Sequence, residues 1–274
     1  MGLVALLFVI GMGAAVAIEP GRFAAMYDDP AVFEQALAEE SVRAPAGHRV
    51  TGITVPHHLV AADLIARGFR CASGGSYERI ILLTPDHFRR SRLPFATTRG
   101  TFETVFGDVA CDEPAVGSLL VACPKVAESA LFAKEHGIHA VLPFVARSFP
   151  KAKIVPVALR IDSKREDWLA LVDALAPLVD SKTLVVQSTD FSHYLDHGKA
   201  RHRDQQTMNT LALAIPKRLP QGGFGQQGVR ETEQHVATGV GGLHYSAAPK
   251  PCAFNHARLG KDGKNAGSGQ GRFS

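Results

Sequence analysis

A three-layer α/β/α domain with a mostly parallel central sheet is predicted over about residues 45–214, and three observations predict it. Short uninterrupted runs of Ile, Leu and Val recur along this stretch, the pattern of strands buried on both faces. Helical stretches separate the runs, as crossovers between parallel strands require. Polar residues stand just past the carboxyl ends of the runs, which is where open α/β sheets bind ligands.

The elements follow in order. Val50-Thr51-Gly52-Ile53-Thr54-Val55 reads as the first strand, stopped by Pro56. Leu59 to Arg67 reads as a helix on its apolar Leu59, Leu64 and Ile65, with Gly68 placed to end it. Arg79-Ile80-Ile81-Leu82-Leu83 is a second strand, closed by Thr84-Pro85-Asp86. Short helices are expected over Pro114 to Cys123 and over Ala140 to Ser148, the latter entered after Glu135-His136-Gly137. Lys153 to Leu159 is a third strand. Arg165 to Val179 carries Trp168, Leu169, Leu171, Val172, Leu175 and Leu178 at amphipathic spacing. Thr183 to Gln187 is a fourth strand, followed by Ser188-Thr189-Asp190, and His202 to Leu213 reads as helix.

Two segments flank this pattern. Leu3 to Ile10 is an apolar run, and Ala15-Val16-Ala17 has the A-x-A form of a leader cleavage site. Residues 1–22 are therefore expected to act as a signal peptide or membrane anchor, giving an exported or membrane-attached protein. The usual positive start is absent, since no Lys or Arg precedes Arg22. Residues 215–274 hold 12 of the 26 glycines and only 10 Leu, Ile, Val, Met or Phe. That is too little apolar surface to build a core, so a low-order tail is expected. An abrupt loss of periodicity also fits a frameshift in the gene.

Charge follows the same division. Residues 1–214 carry 22 basic and 23 acidic side chains, against 8 and 3 in residues 215–274. A basic tail without aromatic interleaving or a repeated basic motif does not support nucleic-acid binding. The four cysteines form no C-x-x-C pair, which argues against a zinc knuckle. Gly74-Gly75 lacks the spacing of a phosphate loop, and there is no G-x-S-x-G elbow of a serine hydrolase.

The residues that carry chemistry fall into four clusters at strand or helix ends. They are Pro56-His57-His58, Thr84-Pro85-Asp86-His87-Phe88, Glu135-His136-Gly137-Ile138-His139 and Ser188-Thr189-Asp190-Phe191-Ser192-His193-Tyr194. A lone histidine after a strand is usually a loop residue. Four such clusters at corresponding ends point to a site, and neutral imidazole is the commonest protein ligand of first-row transition metals. His48, His197 and His202 are read as solvated or capping.

In this order the clusters resemble the Memo family, whose bacterial members are called AmmeMemoRadiSam system protein B. The resemblance covers roughly residues 50–214 and includes Leu-Leu-Thr-Pro-Asp-His-Phe, Glu-His-Gly-Ile-His and Ser-Thr-Asp-Phe-Ser-His-Tyr. The family is related in fold to the class III extradiol dioxygenases, which use non-haem iron(II). The resemblance implies His57 and His87 as metal ligands, and places Glu135, His136, Asp190 and His193 around the same pocket. The family's third ligand is a cysteine followed by glycine; Cys252 is followed by Ala253, so it is not assigned. The family also has Ala-Gly after its first Pro-His, where this chain has His58-Leu59.

Three function classes follow. One is a metal-binding protein, holding iron, copper or zinc, with a redox role toward a small molecule or protein. The second is a ring-cleaving dioxygenase, which needs two histidines, one carboxylate and open positions on the metal. The third is a binding module that uses the pocket without a metal. In the first two, His193 is the expected acid/base, since imidazole changes charge near neutral pH. Glu135 is expected to orient His136 or a ligand histidine.

Overall fold

The computed structural model describes residues 21–213. The chain opens with β1 (Arg22–Phe23), α1 (Ala31–Ser41), β2 (Gly52–Val55), α2 (Ala62–Ala72) and β3 (Arg79–Pro85). It continues with β4 (Phe95–Thr97), β5 (Thr101–Phe102), α3 (Glu113–Ala122), β6 (Val126–Glu128), α4 (His136–His139) and α5 (Leu142–Ser148). It ends with β7 (Lys153–Leu159), α6 (Arg165–Leu175), β8 (Thr183–Ser188) and α7 (His197–Leu213).

Six strands form one sheet in the order β2-β8-β3-β7-β4-β6. Every neighbouring pair runs parallel except β4 against β7. β1 and β5 form a separate two-stranded parallel ribbon. The predicted three-layer arrangement is thus the observed one. Alternation along Ile80-Ile81-Leu82-Leu83 sends successive side chains to opposite faces. Ile80 and Leu82 join Phe33, Ile65, Phe69 and Phe144 of α1, α2 and α5 in one core. Ile81 and Leu83 join Val116, Leu119, Leu171 and Leu175 of α3 and α6 in the other. Each fully buried Ile or Leu contributes about 1.5–3 kcal/mol. Truncating the fully buried Leu82 to alanine removes about 2–5 kcal/mol from the layer it fills.

The packed body begins upstream of residue 45. Phe33 of α1 is fully buried, its ring 5.4 Å from that of Phe144. Glu40, on the same helix, is buried and accepts two hydrogen bonds from Arg67 of α2, at 2.8 and 3.2 Å. This forked pair holds α1 to α2.

Gly68 departs from expectation. It lies inside α2, which runs on to Ala72. A Cβ there would stand 2.5 Å from Val55 Cγ1, so the glycine lets the helix rest on β2 instead of ending the turn. Arg165 to Val179 divides into α6 and a 3-10 turn at Ala176–Leu178. The last helix begins at His197, earlier than the expected His202. The expected leader lies outside the described residues except for Gly21 and Arg22, and the expected tail lies wholly outside them. Among the described residues no helix is long and apolar enough to cross a membrane.

Candidate metal centre

β2, β8 and β3 are consecutive in the sheet, and their carboxyl ends carry three of the four histidine clusters. β2 and β8 are level at Val55 and Ser188, and the Thr189 N–H donates to the Val55 carbonyl at 2.9 Å. That register brings His57 beside Asp190, although 133 residues separate them. The loop after β3 is shaped by Asp86, whose buried carboxylate accepts the N–H groups of Arg90 and Ser91 at 3.0 and 2.7 Å. That use of Asp86 turns His87 back toward β2. Glu135 opens α4, accepting the Gly137 N–H at 3.0 Å, and supplies His136 from a third direction.

The result is a cluster of imidazoles. Ring centroids are 4.8 Å apart for His57 and His87, 5.3 Å for His57 and His136, and 4.0 Å for His87 and His136. One nitrogen from each of these three rings lies within 4.8 Å of the others. The His57 and His87 rings thus lie next to each other. His136, expected only in the surrounding pocket, stands as close to both. His58, given no role from the sequence, belongs to a second group with His57 and Asp190. Its Nδ1 is 2.6 Å from Asp190 Oδ2, and its ring is 5.5 Å from that of His193. His139 instead points into the core, where its Nε2 meets the Phe132 carbonyl at 2.9 Å. His48, His197 and His202 are exposed.

The network around the rings selects tautomers. Ser188 Oγ donates its only proton to the Gly137 carbonyl at 2.5 Å. It can therefore only accept from His57 Nδ1, 3.2 Å away. The lone pair of His57 is left on Nε2, a buried atom with no hydrogen-bond partner. Burial, followed by the neighbouring imidazoles, lowers the His57 pKa to about 4 against the opposing pull of Asp190. The ring is thus neutral at physiological pH. His87 is oriented likewise: its Nδ1 lies 2.6 Å from Glu135 Oε1, and its backbone N–H donates to Glu135 Oε2 at 3.1 Å. Nε2 remains available on that ring too. Glu135 lies 3.8 Å from His136 Nδ1, so the ring it orients is His87.

Both carboxylates are ionised. For Glu135 burial raises the pKa, but the His87 hydrogen bond and charge, with backbone N–H groups, outweigh it. For Asp190 the same burial effect is outweighed by the neighbouring His57 ring and the His57 backbone N–H, and by His58 and His193. The Asp190 arrangement is asymmetric. Oδ1 accepts the His57 N–H at 3.0 Å, whereas Oδ2 makes no well-aligned hydrogen bond and is held by the close approach of His58 Nδ1 at 2.6 Å. Leaving a buried atom such as His57 Nε2 unpaired costs about 1–3 kcal/mol. A bound cation would satisfy His57 Nε2 and Asp190 Oδ2 together. The donors therefore fit a first-row divalent ion: clustered imidazole nitrogens, with the His57 ring neutral, ionised carboxylates beside them, and His57 and His87 hydrogen-bonded on their far sides. Among the described residues the free thiols of Cys111 and Cys123 belong to neither group. The expected comparison at Cys252 lies outside the described residues.

Fold and site together define an open α/β protein with a histidine cluster at the carboxyl edge of its sheet, a group that could hold a metal ion. The chain belongs to the Memo family: the family model described as Memo-like protein matches residues 27–220. It is similar to a MEMO1 family protein of Methanopyrus kandleri, with 27% identity over 168 residues, covering 58% of this chain and 59% of the relative. A MEMO1 family protein of Caldivirga maquilingensis is 26% identical over 174 residues, covering 59% and 60% of the two chains. One of Thermotoga petrophila is 27% identical over 177 residues, covering 61% and 62%. The chain thus spans about three-fifths of the length of these curated relatives.

Proposed function

We propose that this Memo-family chain is a metal-binding protein with a redox role, its ion held by His57 and His87 with His136 beside them. The observation that carries this reading is the buried, unpartnered Nε2 of His57, whose tautomer Ser188 selects. Glu135 does for His87 what Ser188 does for His57, and does it with a full negative charge, which makes the ring a stronger donor. Iron or copper bound here would supply redox chemistry, and zinc a Lewis acid. His58, Asp190 and His193 border the more open side, where a small molecule or a protein group would approach. The export expected from residues 1–22 would place this chemistry outside the cytoplasm.

The test is metal content. Chain purified without chelator is expected to hold a transition metal by elemental analysis, and chelator-stripped chain to rebind iron, copper or zinc. His57→Ala and His87→Ala should lose the ion while circular dichroism stays unchanged. Chain that neither retains nor rebinds any ion would overturn this reading in favour of a metal-free binding module.

A second reading, a ring-cleaving dioxygenase of the class III extradiol type, draws support from one observation. His57, His58 and Asp190 form a two-histidine, one-carboxylate group. Oxygen uptake by the iron-loaded chain with a catechol separates the two; no uptake with iron bound removes the second.

A further inference from the structure

We propose that Phe88 and Arg90 form a recognition subsite for a small organic oxyanion at the mouth of the histidine pocket. The apolar body of the ligand rests on Phe88, and its carboxylate or phosphate group meets the Arg90 guanidinium. This rests on the metal-binding reading above and names the class of molecule that approaches the site.

The loop after β3 is built to present these two side chains. Arg89 has a φ of 51°, a left-handed conformation that residues other than glycine rarely adopt. Among the described residues the only other such non-glycine position is Tyr194, at 56°, which directly follows His193. Backbone of this kind persists only where its surroundings enforce it, and it gathers at ligand sites. Two anchors follow Arg89. The Asp86 carboxylate accepts the N–H groups of Arg90 and Ser91, and Arg160 Nη1 donates to the Ser91 carbonyl at 3.2 Å. The turn at Arg89 folds its neighbours together. The guanidinium carbon of Arg90 stands over the Phe88 ring, 5.3 Å from its centre.

Phe88 is 52% exposed. A single exposed ring is ordinary on a protein surface, but this one abuts the site. Its centroid lies 6.1 Å from that of His136, and His136 in turn lies 6.0 Å from His58. The loop and the histidines therefore share one mouth.

Charge completes the subsite. Arg89, Arg90 and Arg92 are all exposed, and among the described residues none of them is in an ion pair. The acids of this region are already engaged. Asp162 accepts two hydrogen bonds from Arg160, at 2.8 and 2.6 Å, Asp86 holds the loop backbone, and Glu135 holds His87. Contact with an aromatic face does not use up the guanidinium. Its N–H donors lie in its own plane and point outward from its edge, where they match a carboxylate or phosphate. The ring also restrains the long Arg90 side chain, which lowers the entropy lost when a ligand binds. Three arginines close together draw anions toward the mouth.

Isothermal titration of the zinc-treated chain with benzoate, phenyl phosphate and benzyl alcohol tests the proposal, with zinc content measured on the same samples. At low salt at least one of the two anions should bind about tenfold more tightly than the neutral alcohol, and the tighter of the two identifies the acid group. Arg90→Gln keeps the backbone bond to Asp86 and removes the guanidinium. It should weaken the anion about tenfold and leave zinc content unchanged. Phe88→Ala should weaken the same anion, also without loss of zinc. Anions that bind no better than benzyl alcohol overturn the subsite. An anion held equally well by Arg90→Gln also overturns it, because the contact then lies on the ion or elsewhere. Zinc retained without anion binding defeats the subsite alone. Arg90-dependent anion binding without zinc defeats the metal-binding reading and leaves the subsite standing.

Discussion

Glu135 holds His87 from two sides: one carboxylate oxygen lies 2.6 Å from the ring Nδ1 and the other accepts the backbone N–H at 3.1 Å. The oxygen on the ring also accepts the Gly137 N–H. Three N–H donors thus converge on a side chain that is fully buried. Glu135→Gln replaces one accepting oxygen by an NH2 that faces an N–H donor. Metal affinity is expected to fall about 10–100-fold, the usual cost of losing a partner behind a ligand histidine. Isothermal titration with zinc measures this. Unchanged affinity would mean that the pair only shapes the loop.

Ser188 plays the corresponding part for His57 by a different route. It accepts a hydrogen bond from His57 Nδ1 only because its own proton is committed to the Gly137 carbonyl. Ser188→Ala leaves the ring free to change tautomer and leaves that carbonyl without its donor. The expected result is a loss of about 1–3 kcal/mol in stability and a weaker metal site. Ser188→Thr should preserve much of both, since the hydroxyl remains. Denaturant unfolding of the metal-free chain and metal titration read the two effects separately.

The metal-free protein should lose stability in mild acid. His57 is held neutral to about pH 4 by burial, against an ordinary value of 6.5. Above 6.5 the ring is neutral both folded and unfolded, and the full stability is present. As the pH falls from 6.5 to 4 the unfolded chain takes up a proton that the folded chain refuses. One such group costs on the order of 3 kcal/mol across that window. His136 and His139 are also lowered, chiefly by burial, and act in the same direction. Melting curves of chelator-treated chain should therefore show a falling midpoint from pH 7 to 4.5. A flat profile would mean that these rings are hydrated in solution.

Parts of this site were legible in the sequence for definite reasons. β3, β7 and β8 are runs of branched apolar residues that only a doubly covered sheet explains, and histidines just past such strands fall at the ligand edge. β4 and β6 have three residues each and no run to announce them. α1 buries only Phe33, Ala36 and Glu40, too sparse a stripe to stand out among its glutamates and alanines. Gly68 looked like a helix stop because its close approach to Val55 is a tertiary fact. The same holds for Ser188 and His58. Their partners are fixed by β2 lying next to β8, a neighbour relation between the first and last strands of the sheet's sequence run. No local spacing records it.

Gly137 shows how closely the fold and the site are joined. A Cβ at this position would stand 2.1 Å from Thr84 Oγ1 on β3, 3.2 Å from Glu135 Oε1 and 3.3 Å from His87 Cε1. α4 can approach β3 only because residue 137 has no side chain, and that approach delivers Glu135 to His87 and the Gly137 carbonyl to Ser188. Gly137→Ala must displace Thr84, a buried residue of β3, or push α4 outward with both hydrogen-bonded histidine supports. Moving the helix is the cheaper response, because α4 has only four residues and is short enough to shift. Overpacking of this kind costs about 1–3 kcal/mol. Metal affinity should fall further than stability alone implies, since both ligand rings lose their orientation together. The comparison is between the melting midpoint of the metal-free variant and its zinc affinity. A variant that loses stability but binds zinc as tightly as the unaltered chain would separate the packing of α4 from the support of the site.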